Sequence, residues 1–500
     1  MILTPKEMAE AEQQLLASGA EAEPLMEEAG EKIAATIRQF FRSPGTLVAF
    51  AGNGHNGGDA LVAARHLKES GWKIRLHLAG SSESLKPLTG KKLEELGTSP
   101  RYWDAADLPR QGTPLVLLDG LLGTGAAGEL RPAYRKSADT INQLRKLHGA
   151  YTFAIDIPSG LNGMSGSPYP GAVFADFTLS IAYPKTGLLA DAATANVGRL
   201  ALLPLPAIRP LPGQGDPNAA LLTPGRLSGL LPRRPFETHK GQCGHIAIIG
   251  GSPGLSGAAI LAAQGALRGG AGLVTILARG QSYPALCALA PPEVMVREVD
   301  SFEDAADPAF NVLVAGPGLG SGDWDTEVLD LMVHDKRPVI VDADALNLLA
   351  RNDPEAIANA PGERLLTPHP GEMQKLDPLG EGSRRSRAEA LASRTKATVL
   401  LKGARTVIAQ PGTSSPSAFN STGNPGMATG GIGDTLSGLC GAIAGNGISL
   451  YDAACTGSWI NGRAAEIAVF NAGHSEQSLI ASDLPAHYGA AFTDLLTGCF

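Results

Sequence analysis

The segment Asn424-Pro425-Gly426-Met427-Ala428-Thr429-Gly430-Gly431-Ile432-Gly433-Asp434 could do chemistry on its own. Five glycines and one aspartate fall between positions 424 and 438, just ahead of an apolar stretch that reads as a helix over 435–444. Without Cβ atoms, successive backbone N–H groups can converge on one point, and a helix start adds partial positive charge there. Such a cradle suits a phosphoryl group, with Asp434 in reach of whatever that group reacts with. The same residues also read as a plain glycine turn with Asp434 as helix N-cap. On this segment alone both readings stand.

Other turns of the same kind recur. In the second half they are Gly250-Gly251-Ser252-Pro253-Gly254, Ala315-Gly316-Pro317-Gly318-Leu319-Gly320, Asp342-Ala343-Asp344-Ala345-Leu346-Asn347, Thr367-Pro368-His369-Pro370-Gly371-Glu372 and Lys402-Gly403-Ala404-Arg405-Thr406. In the first half Gly52-Asn53-Gly54-His55-Asn56-Gly57-Gly58-Asp59 is followed by Leu118-Asp119-Gly120, Gly123-Thr124-Gly125 and Asp156-Ile157-Pro158-Ser159-Gly160-Leu161-Asn162. Singly each is weak: Asp342 and Asp156 could end strands, and His369 could be a loop residue. Most follow apolar strands, and open α/β sheets bind ligands at their strand ends.

The elements that must hold these turns alternate. Helices are predicted over 6–17 and 24–41, then strand 47–51, helix 59–70, strand 73–79, helix 85–96, strand 115–118, helix 135–147 and strand 151–155. A proline-dense stretch, 204–217, reads as an exposed connection. A second series follows: strand 245–249, helix 257–268, strands 273–277, 312–315, 339–341 and 398–401, a hairpin partner at 406–409, and helices 435–444 and 450–470. Repeated βα units imply largely parallel, helix-covered sheets. The chain of 500 residues exceeds what one core usually serves. The expected fold class is therefore α/β in two domains, 1–205 and 221–500, joined by a linker at 206–220.

Composition narrows the function classes. Net charge is −8 and no dense basic block occurs, so nucleic acid is not expected as a ligand. Five cysteines are scattered without CxxC spacing, which fits a reducing, cytoplasmic setting better than a disulfide framework or zinc site. No secretory h-region is visible, and no run of about 18 apolar residues predicts a membrane span.

Taken in order, the second-half turns resemble the ADP-dependent NAD(P)H-hydrate dehydratases, a family of ribokinase-like fold, over roughly residues 221–495. The resemblance implies a substrate, NAD(P)H hydrated at C6 of the nicotinamide ring, and a nucleotide that phosphorylates the C6 hydroxyl before phosphate is eliminated. Ala258, Gly318, His369 and Asp434 would contact the hydrate. Lys402, Gly403, Ala404, Arg405, Thr406 and Gly433 would contact ADP, which carries Mg²⁺; Lys240 is a further phosphate candidate. At a helix start Asp434 should have a lowered pKa, making it a weak base that orients the hydroxyl and takes its proton late, while the amides of residues 430–433 hold the migrating group.

The first-half turns resemble the NAD(P)H-hydrate epimerase domain, a Rossmann-like three-layer α/β/α unit, over roughly residues 1–205. The family pattern is Gly-Pro-Gly-Asn-Asn-Gly-Gly-Asp-Gly; Asn53, His55 and Ala60 depart from it. By resemblance Asn56, Asp119 and Ser159 ligate K⁺, whose preference is for hard oxygen donors. His55, Asn56, Gly57, Gly58, Asp59, Gly123, Thr124, Gly125, Ala126, Ala127, Gly128, Glu129 and Asp156 would line the hydrate site, Asp156 managing the proton. The implied protein is a two-activity repair enzyme: it interconverts R and S hydrates and dehydrates the S epimer with ADP, releasing AMP and phosphate. A homo-oligomer is expected. The alternatives are a ribokinase-like kinase of a small vitamin-precursor alcohol and a front half that is a non-catalytic binding module.

Overall fold

In a computed structural model the described residues are 1–100, 108, 113–126, 128–412 and 415–499. They form two compact units, Met1–Leu221 and Leu222–Cys499. No helix among them is long and apolar enough to cross a membrane, and all five cysteines are free.

The first unit is built on a six-stranded sheet: β1 (Thr46–Ala51), β2 (Lys73–Leu78), β3 (Leu115–Gly120), β4 (Tyr151–Ile155), β5 (Phe177–Ile181) and β6 (Arg199–Leu203). The order is β2-β1-β3-β4-β5-β6, and every pair is parallel. Every residue of β1 and β3 is buried, as a sheet covered on both faces requires. Five helices accompany it: α1 (Pro5–Ala17), α2 (Ala22–Phe40), α3 (His55–Glu69), α4 (Pro87–Leu96) and α5 (Pro132–His148). A Thr4–Glu7 capping box fixes the start of α1. Phe40, Phe153 and Phe177 form an aromatic core, the last two stacked with centroids 4.4 Å apart. The chain leaves β1 toward β2 on one side and returns to β3 on the other. The carboxyl ends of β1 and β3 therefore flank a switch point, where such sheets bind ligands. Ahead of α1, buried Leu3 donates its N–H to the Pro184 carbonyl (3.0 Å), and its carbonyl accepts from Thr186 N (2.9 Å), so it brackets Lys185.

The structure moves one boundary that matters. Helix α3 begins at His55, not 59, so Asn56, Gly57 and Gly58 lie in its first turn rather than in a free loop. Close packing is the reason for glycine at 57: a Cβ there would sit 2.1 Å from the Gly52 carbonyl oxygen.

The second unit carries strands β7 (His245–Ile249), β8 (Leu273–Arg279), β9 (Met295–Val299), β10 (Val312–Ala315), β11 (Val339–Val341), β12 (Arg364–Leu366), β13 (Thr398–Leu401), β14 (Thr406–Ala409) and β15 (Ser417–Asn420). They lie in the order β9-β8-β7-β10-β11-β12-β13-β14-β15. Pairing is parallel as far as β13, while β14 and β15 are antiparallel additions. Helices that position the site are α6 (Ser256–Arg268), α7 (Ala343–Arg351), α8 (Pro370–Leu376), α9 (Ile432–Ala444) and α10 (Leu450–Asn471). Helix α9 starts three residues before the predicted 435, capped by Gly431 at φ +91°. Asp434 is thus inside the first turn and is not the cap.

Candidate active sites

In the second unit the turns after β10, β11, β12 and β13 meet the start of α9. Asp342, buried at the end of β11, accepts hydrogen bonds from Lys402 Nζ (2.7 Å) and Ser437 Oγ (2.5 Å). Burial by itself would raise its pKa. The Lys402 charge, with hydrogen bonds from Lys402, Ser437 and Thr367, outweighs burial and holds it below the usual carboxylate range. Lys402 also lies 3.8 Å from Glu372. Burial acts to lower its pKa, but Asp342 and Glu372 keep the ammonium charged. A Cβ on Gly433 would stand 3.1 Å from Lys402 Nζ, so the glycine turn closes directly over this ion pair. The N–H groups of Gly430 and Gly431 meet no acceptor among the described residues.

Asp434 departs from expectation. Its pKa is raised to about 7, not lowered: burial is the largest cause and the Asp342 carboxylate the next, with Asp344 and Glu372 adding and Lys402 opposing. The helix-start charge that should have lowered it is outweighed by desolvation and three acidic neighbours. The Asp434 carboxyl is therefore poised near neutrality rather than held low.

The remaining sequence-derived residues divide. Ala258 and Gly318 are neighbours: with φ +60°, Gly318 would carry a Cβ 3.0 Å from that of Ala258. His369 caps α8; its Nδ1 accepts from Gly371 N (2.9 Å) and Glu372 N (3.3 Å), while Glu372 accepts from His369 N (2.8 Å). Nδ1 is thus an acceptor, which assigns the proton to the half-exposed Nε2 side. Residues 402–406 join β13 to β14, and Arg384 donates to the Leu401 (3.1 Å) and Lys402 (2.8 Å) carbonyls beneath Gly403. Gly403 and Ala404 are at the surface, and Thr406 Oγ1 turns back to the Gly403 carbonyl (3.2 Å). The Arg405 side chain is buried, and Lys240 is exposed. Asp342, Ser437, Glu372 and Arg384 were given no role by the sequence. Asp342 and Glu372 stood inside the Asp-Ala-Asp-Ala-Leu-Asn and Thr-Pro-His-Pro-Gly-Glu turns; no motif gave Ser437 or Arg384 a part in the site.

In the first unit three turns converge. Asn56 Nδ2 donates to the Leu122 (3.0 Å) and Ile155 (3.3 Å) carbonyls. Ser159 gives Asp119 two hydrogen bonds, from N (2.8 Å) and Oγ (2.7 Å), while Ser159 Oγ accepts from Leu122 N (3.0 Å). Burial pushes the Asp119 carboxyl up to about 6 against the pull of those bonds and of Leu121 N. A small cavity of about 10 Å³ is lined by residues including Leu122, Gly123 and Ser159.

Asp156 follows β4 with φ +65°, a left-handed backbone that a non-glycine residue holds only under surrounding constraint. Its carboxylate accepts from Ile181 N (3.1 Å) and from the Lys185 ammonium, which is buried and also bonds the Ile181 carbonyl (2.9 Å). Asp59, buried on α3, is pushed well above the usual range by burial, then by Asp156 and Glu12. His55 is pushed down by burial and by Lys86, which favours the neutral imidazole. Gly123, Thr124, Gly125, Ala126, Gly128 and Glu129 form a loop exposed toward its tip; Ala127 lies outside the described residues. Sequence reasoning missed Lys185, whose motif-free surroundings gave no signal.

The pattern of the family described as "NAD(P)H-hydrate dehydratase" matches residues 246–485, and that of the "YjeF-related protein N-terminus" matches residues 22–187. A "Bifunctional NAD(P)H-hydrate repair enzyme Nnr" from Coxiella burnetii is 34% identical, with 96% of this chain and 97% of that protein covered. The chain belongs to the bifunctional NAD(P)H-hydrate repair enzyme family. The Escherichia coli protein of the same name is 37% identical, covering 92% of this chain and 87% of its own. Among solved structures, an "ADP/ATP-dependent NAD(P)H-hydrate dehydratase" from Bacillus subtilis, co-crystallised with ATP/Mg²⁺, is 29% identical with a TM-score of 0.49; the match covers 56% of this chain and 99% of that one. Membership in the repair-enzyme family spans both units.

Proposed function

We propose that the first unit interconverts the R and S epimers of NAD(P)H-hydrate and that the second dehydrates the S epimer with ADP, giving NAD(P)H, AMP and phosphate. The carrying observation is Asp434, raised to about 7 beside the Gly430–Gly433 turn and the Asp342–Lys402 pair.

In the second unit Asp434 takes the proton of the C6 hydroxyl as its oxygen bonds to the terminal phosphorus of ADP and the bond to AMP breaks. A base near the working pH suits this transfer. The glycine amides and Lys402 hold the phosphoryl oxygens, which is where such transfers gain most of their stabilisation. The ring nitrogen then expels phosphate from C6, and the C5 proton passes to the departing phosphate, restoring the C5=C6 bond. Hydroxide is a poor leaving group and phosphate a good one, which explains a kinase scaffold serving a dehydratase. Mg²⁺ brought with the nucleotide would neutralise phosphate charge. It would take phosphate and water oxygens, because Asp342 is already engaged by Lys402 and Ser437.

In the first unit Asp156, ion-paired with Lys185, would face the cation formed when the ring nitrogen pushes hydroxide from C6. Water returning to either face, its extra proton passing by way of Asp156 to the departed hydroxide, completes epimerisation. By resemblance Asn56, Asp119 and Ser159 would hold K⁺; their oxygens are the hard donors that such a cation prefers, and Ser159, bonded to Asp119, also lines the small cavity beside Leu122 and Gly123. That ion would supply fixed positive charge toward substrate oxygens.

The test adds purified protein, ADP and Mg²⁺ to mixed NADH-hydrate epimers and follows absorbance of the reduced ring. Recovery of both epimers is expected. No recovery removes the proposal, and recovery of the S fraction alone removes its epimerase half.

A further inference from the structure

Beside the second-unit site lies a cleft of about 440 Å³ lined by Gly320, Ser321, Asp344, Asn347, Ala350, Arg351 and Lys375. It is built from the onward run of three turns that supply the site itself. Gly320 stands two residues past Gly318, Asp344 two past Asp342, and Lys375 six past His369. Asp344 is near enough to help raise the Asp434 carboxyl, so the cleft adjoins the position where the hydroxyl would react.

Its chemistry is that of an oxyanion site. Lys375 Nζ is steadied by Asn347 Oδ1 at 2.7 Å. Arg351, at the carboxyl end of α7, has one nitrogen 3.3 Å from Asp325, with its side chain 54% exposed. The acid in the lining is already engaged: Asp344 accepts from Gly320 N at 2.8 Å. Two cations and one hydrogen-bonded carboxylate give the wall a net positive balance. Along α7, Arg351 lies seven residues past Asp344, about 10 Å at 1.5 Å per residue. A small ring alone does not span that reach; a dinucleotide does.

We infer that this cleft binds a phosphate of the hydrated dinucleotide remote from the nicotinamide ring, with Lys375 and Arg351 as its contacts. The inference rests on the proposed dehydration and names the part of the substrate that the reacting turns leave unaccounted for. Two phosphates share this chemistry: the diphosphate bridge, present in both hydrates, and the ribose 2′-phosphate, present only in the NADPH hydrate. Such contacts form before reaction and persist through it, so they act on KM rather than kcat.

The experiment measures kcat and KM of the full chain and of Lys375→Ala, Arg351→Ala and the double variant, with the S hydrates of NADH and of NADPH and with ADP varied separately. The double variant should raise hydrate KM about tenfold, as loss of a charge-assisted hydrogen bond predicts, at unchanged kcat and unchanged KM for ADP. An equal rise for both hydrates supports the inference and assigns the bridge; a rise for the NADPH hydrate alone supports it and assigns the 2′-phosphate. Hydrate KM within twofold of wild type in both series, or a rise confined to ADP, overturns it. Both side chains are solvent-facing, and an unchanged melting temperature verifies folding. A wild-type chain that regenerates no reduced ring sinks the functional reading itself; a working wild type with indifferent variants sinks only this subsite.

Discussion

Asp434→Asn should make the second unit more stable while disabling it. The wild-type carboxyl titrates near 7 rather than at the ordinary 3.8. The folded state thus binds this proton more tightly than the unfolded chain does. Stability from the group is fully present below 3.8 and is lost as pH rises through about 7. At 1.36 kcal/mol per pH unit the loss above neutrality is about 4 kcal/mol, a ceiling for a group in partial contact with water. Asparagine keeps the shape without the charge, so it recovers most of this at pH 8 and little at pH 4. Thermal unfolding of both proteins at the two pH values reads the difference as a rise of several degrees for the variant at pH 8. Activity moves oppositely. The wild-type dehydration rate should climb as pH rises through about 7 and then level, and the variant should lose about 10²–10⁴-fold together with that limb. A variant less stable than wild type at pH 8, or a wild-type rate flat between pH 6 and 8, would refute the assignment of a buried base.

Three further outcomes are expected. Lys402→Met leaves Asp342 buried without its cation, and should cost about 3–5 kcal/mol of stability in urea unfolding while raising the KM for ADP. Asp156→Asn should abolish conversion of the R epimer, followed chromatographically, while dehydration of the S epimer proceeds at the wild-type rate. Replacing K⁺ by tetramethylammonium should suppress epimerisation alone, and apparent K⁺ affinity should fall as pH drops through about 6, where Asp119 protonates.

Strand cores that are apolar runs bounded by turns were legible to the residue: β4, β7, β10, β11, β13 and β14 occupy the expected positions. Two strands that carry charge were not. β12 is Arg-Leu-Leu, no longer than β11 but opening on a charged residue, and β9 reads Met-Val-Arg-Glu-Val, whose polar members are tolerated only because the strand is mostly exposed. The starts of α3 and α9 were placed late because their glycines resemble loop residues, whereas in the fold they let a helix approach neighbouring backbone or side chains. Motif order found the turns of both sites. It could not show that Asp434 feels Asp342, 92 positions away, or that Asp156 is steadied by a lysine 29 positions on. Burial and long-range pairing set those properties, and neither has a local signature.

Leu3 is hydrogen-bonded on both sides of Lys185, so a segment ahead of α1 buttresses the lysine that pairs with Asp156 in the pocket proposed for epimerisation. Deleting the first three residues should cripple epimer exchange in an otherwise folded protein, with ADP-dependent turnover left intact.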